Sequence, residues 1–456
     1  MDLEMVRDLG LLPKILHMSG WSTTRSNFLT RTVVPLLLVV ITPPAAMLMW
    51  HTMANLDGSV TLLGQEIWQK GFLQEISDVW LSRFFGSAMA WRMIGVFAIA
   101  QALMMWLLPG KKYHGTITPK GNQPEYKDNG LLSYIITFIV FLFCSVYLKL
   151  FSPGIIYYNM GDLLGALNFG ALAFCLFLYF KGRFFPSSSD HSATGNFIFD
   201  YYWGTELFPQ IAGIHVKQFT NCRFGMTGWA LAVVSFAFAQ KEIYGTADLG
   251  IIVSAVLIFI YLFKFFIWES GYMKSMDIQV DRAGFMICWG CLVWVPAVYT
   301  SPVMYMVKHP ADMGYAMAAL IFVMGFVSIW LNYWADHQRQ SVRSTNGDTT
   351  IWGAMPVLIH APYTTEDGST KTNILLASGF WGVSRHFHYL PEILAAFFWS
   401  CAAGMGAFLP YFYVIFLIVL LTHRAFRDDT KCRNKYGESW VQYCQLVPYK
   451  IIPWVL

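Results

Sequence analysis

Charge is scarce in this sequence. Only 13% of its 456 residues are Asp, Glu, Lys or Arg, against 56% apolar residues, and a mean hydropathy of +0.47 is too high for a surface that must face water. That excludes a soluble multidomain enzyme and leaves a chain threaded through a bilayer. An excess of one sign is missing too, because a net charge of +4 is too small to argue for nucleic acid, and no such partner is expected. The eight cysteines, at 144, 175, 222, 288, 291, 401, 432 and 444, form no framework. Cys288 and Cys291 make a Cys-x-x-Cys inside an apolar run, with neither a second pair nor a histidine at zinc spacing, so their expected role is structural and no metal is expected. Soluble nucleotide fingerprints are absent as well: there is no Gly-x-Gly-x-x-Gly between strand and helix, and Gly404-Met-Gly406 lacks the third glycine. The first residues, with Asp2, Glu4 and Asp8, contain no short cleavable apolar stretch, so no signal peptide is expected.

Long hydrophobic runs, by contrast, are abundant. A bilayer core of about 30 Å needs about 20 apolar residues, and about ten such windows can be marked. They fall near 32–50, 87–108, 131–152, 161–181, 224–240, 247–268, 285–306, 314–334, 391–405 and 407–422, the last two forming a tight hairpin. The fold expected is an all-α integral membrane protein of about ten transmembrane helices, with a cytosol-facing cofactor pocket in its C-terminal half. Its parts are a cytosolic segment 1–31, N-terminal membrane helices over 32–240 and C-terminal membrane helices over 241–456. With the N-terminus in the cytosol, about 25 of the 31 Lys and Arg fall on the cytosolic side, as the positive-inside rule requires. Two connectors, 182–223 and 335–390, are long enough to carry function.

The richest polar cluster begins at Ser378-Gly-Phe-Trp381-Gly-Val-Ser-Arg385-His386-Phe-His388-Tyr389. It continues at His423-Arg-Ala-Phe-Arg427-Asp428-Asp429 and at Cys432-Arg433-Asn434-Lys435-Tyr436-Gly437. Arginine forks match phosphate, ring planes stack, and carboxylates accept ribose or amide protons, so such a cluster at a membrane face can hold a large phosphorylated cofactor. The same residues also suit a cationic anchor with an interfacial aromatic belt, and composition does not separate the two.

These stretches, with Leu375-Leu376-Ala ahead of Ser378 and Met276-Asp-Ile-Gln-Val-Asp281-Arg-Ala-Gly-Phe285 upstream, resemble the sterol reductase family, and most closely its Δ7 branch of plant type. The likeness is specific from about residue 195 to the end and looser before that. It implies an NADPH-dependent reductase that saturates the C7–C8 bond of a 5,7-diene sterol such as 7-dehydrocholesterol, with sterol and membrane lipids as partners. It also implies residence in the endoplasmic reticulum membrane of a eukaryote, or the inner membrane of a bacterium. Arg339 and Arg343 match a basic pair that contacts the 2′-phosphate of NADPH. Leu376, Trp381, His388, Tyr389, Asp428, Cys432, Arg433, Asn434, Lys435, Tyr436 and Tyr443 match the remaining cofactor positions. One departure is Phe208 and Gln210 flanking Pro209, where the family usually has Asn or Tyr and then Arg.

An isolated double bond accepts hydride poorly, so an acid must protonate it first. In a 5,7-diene, a proton at C8 leaves an allylic cation that hydride at C7 completes. Asp428 and Tyr272 rank first as proton donors and Glu269 next, with Glu206, Asp277 and Asp281 behind, because ionisable groups at membrane depth are costly and so are functional candidates. Competing readings are reduction at C14 or C24 within the same family, a membrane methyltransferase using S-adenosylmethionine, a di-iron oxygenase built on the His386-x-His388 pair, and a sterol sensor without catalysis.

Overall fold

The computed structural model describes residues 28–118, 120–364 and 370–456. Among these, nine helices are long and apolar enough to cross a membrane: Leu29–Asn55, Ala88–Leu107, Gly130–Tyr147, Met160–Phe184, Gln218–Tyr244, Leu249–Ile267, Phe285–Met306, Tyr315–Ser344 and Leu409–Tyr436. Their flanks turn Val96, Ile99 and Leu107 outward, which suits lipid and not water. The window near 391–405 becomes Tyr389–Cys401, whose 13 residues reach about 20 Å and fall short of a bilayer core. Gly404, at φ +75°, helps end that apolar run early.

Two helices outrun their apolar windows. Tyr315–Ser344 continues ten residues past the expected exit at 334, and Leu409–Tyr436 continues fourteen past 422. Hydropathy marks where a helix leaves the membrane, whereas the backbone ladder persists for as long as the polar residues tolerate it. The chain is also not wholly helical, since three two-stranded antiparallel sheets occur among the described residues. The largest pairs Leu358–Thr364 with Thr370–Leu376 in register from Leu358 opposite Leu376 to Thr364 opposite Thr370, inside what the sequence presents as a long connector.

The described chain divides into two compact units. One holds Arg31–Phe326 and Ala395–Val414; the other holds Val327–Leu394, Ile415–Leu456 and residues 28–30. In the first unit, Trp229 is buried among Tyr261, Tyr299, Trp399 and Tyr413, with ring centroids 5.2–6.1 Å apart. Wide π-helical turns run through Gln218–Met226 and through Phe285–Tyr299, the latter containing Pro296, whose missing N–H interrupts the regular ladder. In the second unit, the large hairpin packs Ala361 and Leu375 against Tyr436, Trp440, Tyr443 and Val447, while Leu376 joins Val342, Ile351 and Trp381.

Candidate active site

Within the second unit, the extension of Tyr315–Ser344 presents Ala335 and Arg339, one turn apart, to a single indole. The Trp381 Nε1–H donates to the Ala335 carbonyl at 2.7 Å, and the Arg339 guanidinium lies 4.2 Å from the Trp381 ring centroid while donating to Asp336 at 3.2 Å. The Phe380-Trp381 turn is fixed by a tight approach. Gly379 sits at φ +63°, where a Cβ would lie 2.5 Å from the Gln338 side-chain oxygen, and that oxygen accepts the Phe380 N–H at 3.0 Å. Trp381 also meets the His388 ring at 4.9 Å, and His388 meets Tyr389 at 4.4 Å.

His386 completes this wall by stacking on Tyr389, with centroids 5.0 Å apart and planes 10° apart, and its Nε2 faces Asp428 Oδ2 at 3.8 Å. That Nε2 is buried and makes no hydrogen bond. Burial pushes the imidazole down to about 4, with Asp428 pulling the other way and Arg339 and Arg385 reinforcing the drop, so the ring is neutral near pH 7. The Cys432 thiol donates to the same Asp428 oxygen at 3.7 Å. Arg385 is buried and donates to the Val447 and Pro448 carbonyls at 2.7 and 3.0 Å, which fastens the C-terminal tail beneath the cluster. Asp429 accepts the Trp440 N–H at 3.1 Å and lies 3.7 Å from Arg385. The Tyr443 hydroxyl donates to the Trp381 carbonyl at 3.5 Å.

Seven of the residues singled out in the sequence thus meet: Arg339, Trp381, His388, Tyr389, Asp428, Cys432 and Tyr443. Leu376 and Tyr436 belong to the supporting cores, Tyr436 accepting from Asn373 at 2.7 Å. Arg343 lies one turn beyond Arg339 and is exposed. Arg433 and Asn434 are exposed, as is Lys435, whose ammonium lies 3.8 Å from the Tyr363 ring centroid. His386, Gln338 and Asp429 join the site without being among the residues expected there. The first lies between two chosen neighbours, so its place was readable, whereas the contact between Gln338 and residues 379–380 spans about forty positions and left no local signal.

Tyr272 and Glu269 belong to the first unit. Glu269 is fully buried with both oxygens engaged, Oε2 accepting from Arg223 at 2.7 Å and Oε1 from Gln218 at 2.7 Å, while Arg223 also donates to Asn129 at 3.0 Å. This is the geometry of an acceptor, and no room is left around it, since a Cβ on Gly130 would lie 1.7 Å from Oε2. The Tyr272 hydroxyl accepts from Asn221 at 3.2 Å, and its ring packs 5.0 Å from Phe265.

A family model described as the ergosterol biosynthesis ERG4/ERG24 family matches residues 30–456. The chain is 48% identical to the 7-dehydrocholesterol reductase of Arabidopsis thaliana over 91% of its length and 95% of that protein. It is 33% identical to the 7-dehydrocholesterol reductase of Xenopus laevis over 83% of each chain. It is also 31% identical to the Delta(14)-sterol reductase of Methylotuvimicrobium alcaliphilum over 92% and 93%. With nine long apolar helices, the chain is a multi-pass membrane oxidoreductase belonging to the ERG4/ERG24 sterol reductase family.

Proposed function

We propose that this protein saturates the Δ7 double bond of 5,7-diene sterols such as 7-dehydrocholesterol, using NADPH, in the sterol biosynthesis of an endoplasmic reticulum membrane. The observation that carries this reading is the convergence of Arg339, Trp381, His388, Tyr389, His386 and Asp428, in a chain 48% identical to a 7-dehydrocholesterol reductase.

The cluster fits a phosphorylated nicotinamide nucleotide. Arg339 and Arg343, at i and i+4 on one helix, offer two forked donors to a phosphate, and the Trp381–His388–Tyr389 wall offers ring faces. The buried Nε2 of His386, without a hydrogen bond in the protein, is suited to a polar group of a ligand. When bound, reduced nicotinamide supplies a hydride equivalent, which with one proton completes the addition of hydrogen across the bond. The protein must deliver that proton to an alkene in a place closed to water. Asp428, flanked by the Cys432 thiol and the neutral His386, and Tyr272, held by Asn221, are the two groups set to hold it. The aromatic wall stabilises positive charge that develops on the ring.

A second reading, reduction at C14, has its own support in the 31% identity to a Delta(14)-sterol reductase. Purified protein incubated with NADPH and, in parallel, 7-dehydrocholesterol, a Δ14 sterol and desmosterol decides between them by mass spectrometry of the products. We expect loss of the Δ7 bond alone; conversion only of the Δ14 substrate sinks the Δ7 assignment. Asp428→Asn and Tyr272→Phe then separate the donors, since the true one lowers kcat by about 100-fold or more with little change in KM for NADPH.

A further inference from the structure

Away from the nucleotide cluster, the first unit carries three metal-type donors at one point. His51 stands in the last turn of Leu29–Asn55, Glu66 on the helix Val60–Lys70 and Glu75 on the helix Phe72–Val79. One donor atom from each lies within 4.8 Å of the others. His51 Nε2 is 3.3 Å from Glu66 Oε2 and 3.6 Å from Glu75 Oε1.

Those separations match a shared ion. Donors bound at about 2.0–2.2 Å around a tetrahedral zinc stand about 3.3–3.6 Å apart. Glu75 supplies a second, independent sign: its side chain is 1% exposed, and Oε1, aimed at the histidine, accepts no hydrogen bond. A carboxylate oxygen buried in that state is costly unless a cation meets it. Lys70 touches only the other edge of the pair, at 3.1 Å from Glu75 Oε2 and 3.6 Å from Glu66 Oε1, so the oxygens facing His51 are not the ones it bonds. Behind the imidazole, the Asn55 amide lies 2.9 Å from Nδ1. That contact is made by the amide nitrogen, so a metal on Nε2 requires the Asn55 amide to flip and let its oxygen take the Nδ1 proton, the usual outer-sphere support of a histidine ligand.

We propose that His51, Glu66 and Glu75 bind one divalent transition-metal cation, with zinc the best match to one nitrogen and two carboxylate donors. A solvent molecule takes the fourth position, and the ion clips the end of the first span to the two short helices that follow it. The site is a staple and takes no part in the reduction. The two carboxylates balance the charge of the ion, and Lys70, 42% exposed, can swing away from it.

The test uses the full-length protein stripped with a chelator and titrated with zinc alone, followed by calorimetry, elemental analysis and thermal denaturation. We expect one zinc per chain and a raised thermal midpoint. His51→Ala and Glu66→Gln each weaken binding by about 100-fold or more and abolish the rise, while their midpoints in chelator stay near that of the unaltered protein. Lys70→Met, which removes the competing ammonium, tightens binding. Equal zinc uptake by the unaltered and His51→Ala proteins overturns the proposal, since it assigns the metal to other histidines and cysteines. Weaker binding by Lys70→Met also overturns it, because the carboxylates would then be gathered by the lysine and not by a metal.

Discussion

Two carboxylates in this protein face nitrogen bases under opposite conditions. In the first unit, Glu269 is sealed with Arg223, both side chains at 0% exposure and both carboxylate oxygens filled. In the second, Asp428 is 31% exposed and faces a neutral histidine across 3.8 Å, with no closer bond between them. The Glu269 carboxylate, with both oxygens filled, has no acceptor left to offer a ligand and acts by holding helices. The loose pair keeps hydrogen-bonding capacity in reserve, as a site that must receive cofactor and substrate does.

The sharpest way to break the contrast is at its tight end. Glu269→Ala leaves Arg223 buried without its counter-charge and is expected to cost about 3–5 kcal/mol, seen as a large fall in thermal midpoint or loss of folded protein. Asp428→Ala, by comparison, is expected to leave the fold intact and remove activity. If Glu269→Ala folds normally, the sealed pair is not the scaffold described.

Acid titration probes the loose end. His386 has a folded value near 4 against about 6.5 unfolded, so between these the unfolded chain binds the extra proton and stability rises with pH. The contribution is whole above about 6.5 and lost as pH falls toward 4, a change of about 3 kcal/mol. Thermal midpoints measured from pH 4 to 7 should show it, and His386→Gln should flatten that part of the curve.

Smaller effects sharpen the comparison further. Replacing Arg339 and Arg343 together with alanine is expected to raise the KM for NADPH by about 10–100-fold, the worth of one or two charge-assisted hydrogen bonds, with the thermal midpoint nearly unchanged. The same pair should matter far less for NADH, so an equal loss for both cofactors tells against a phosphate role. Smallest of all should be Arg433→Ala and Asn434→Ala, whose side chains are exposed: neither is expected to move the midpoint, and a change in NADPH affinity would show that the nucleotide reaches that far along Leu409–Tyr436.

Much of this was legible in the residues. Nine of about ten apolar windows became full spans, because the bilayer imposes one length on every crossing helix. The meeting of Trp381, His388 and Tyr389 was also legible, since they crowd nine positions. What composition hid was helix continuing outside the membrane. Gln338, Arg339 and Arg343 read as a polar connector, and Arg424 to Lys450 as a basic tail, although the first stretch and the second as far as Tyr436 are continuous helix. The strands at 358–376 escaped because Gly, Thr and Asp around them signalled turns more strongly than the strands signalled themselves. The Arg223–Glu269 pair was half visible: the acid stood out as a rare charge, but its partner lies 46 positions away and pairs only in three dimensions.

The run of helix past the apolar limit makes angular phase a heritable property of the cluster. Ala335 and Arg339 serve one indole only because they are spaced by about a full turn. A single residue inserted at Trp334 would rotate everything after it by about 100° and carry both arginines off that stripe, whereas four inserted residues would bring the stripe back to within about 40°. Length changes in this stretch should therefore survive in related chains mainly in units of a turn.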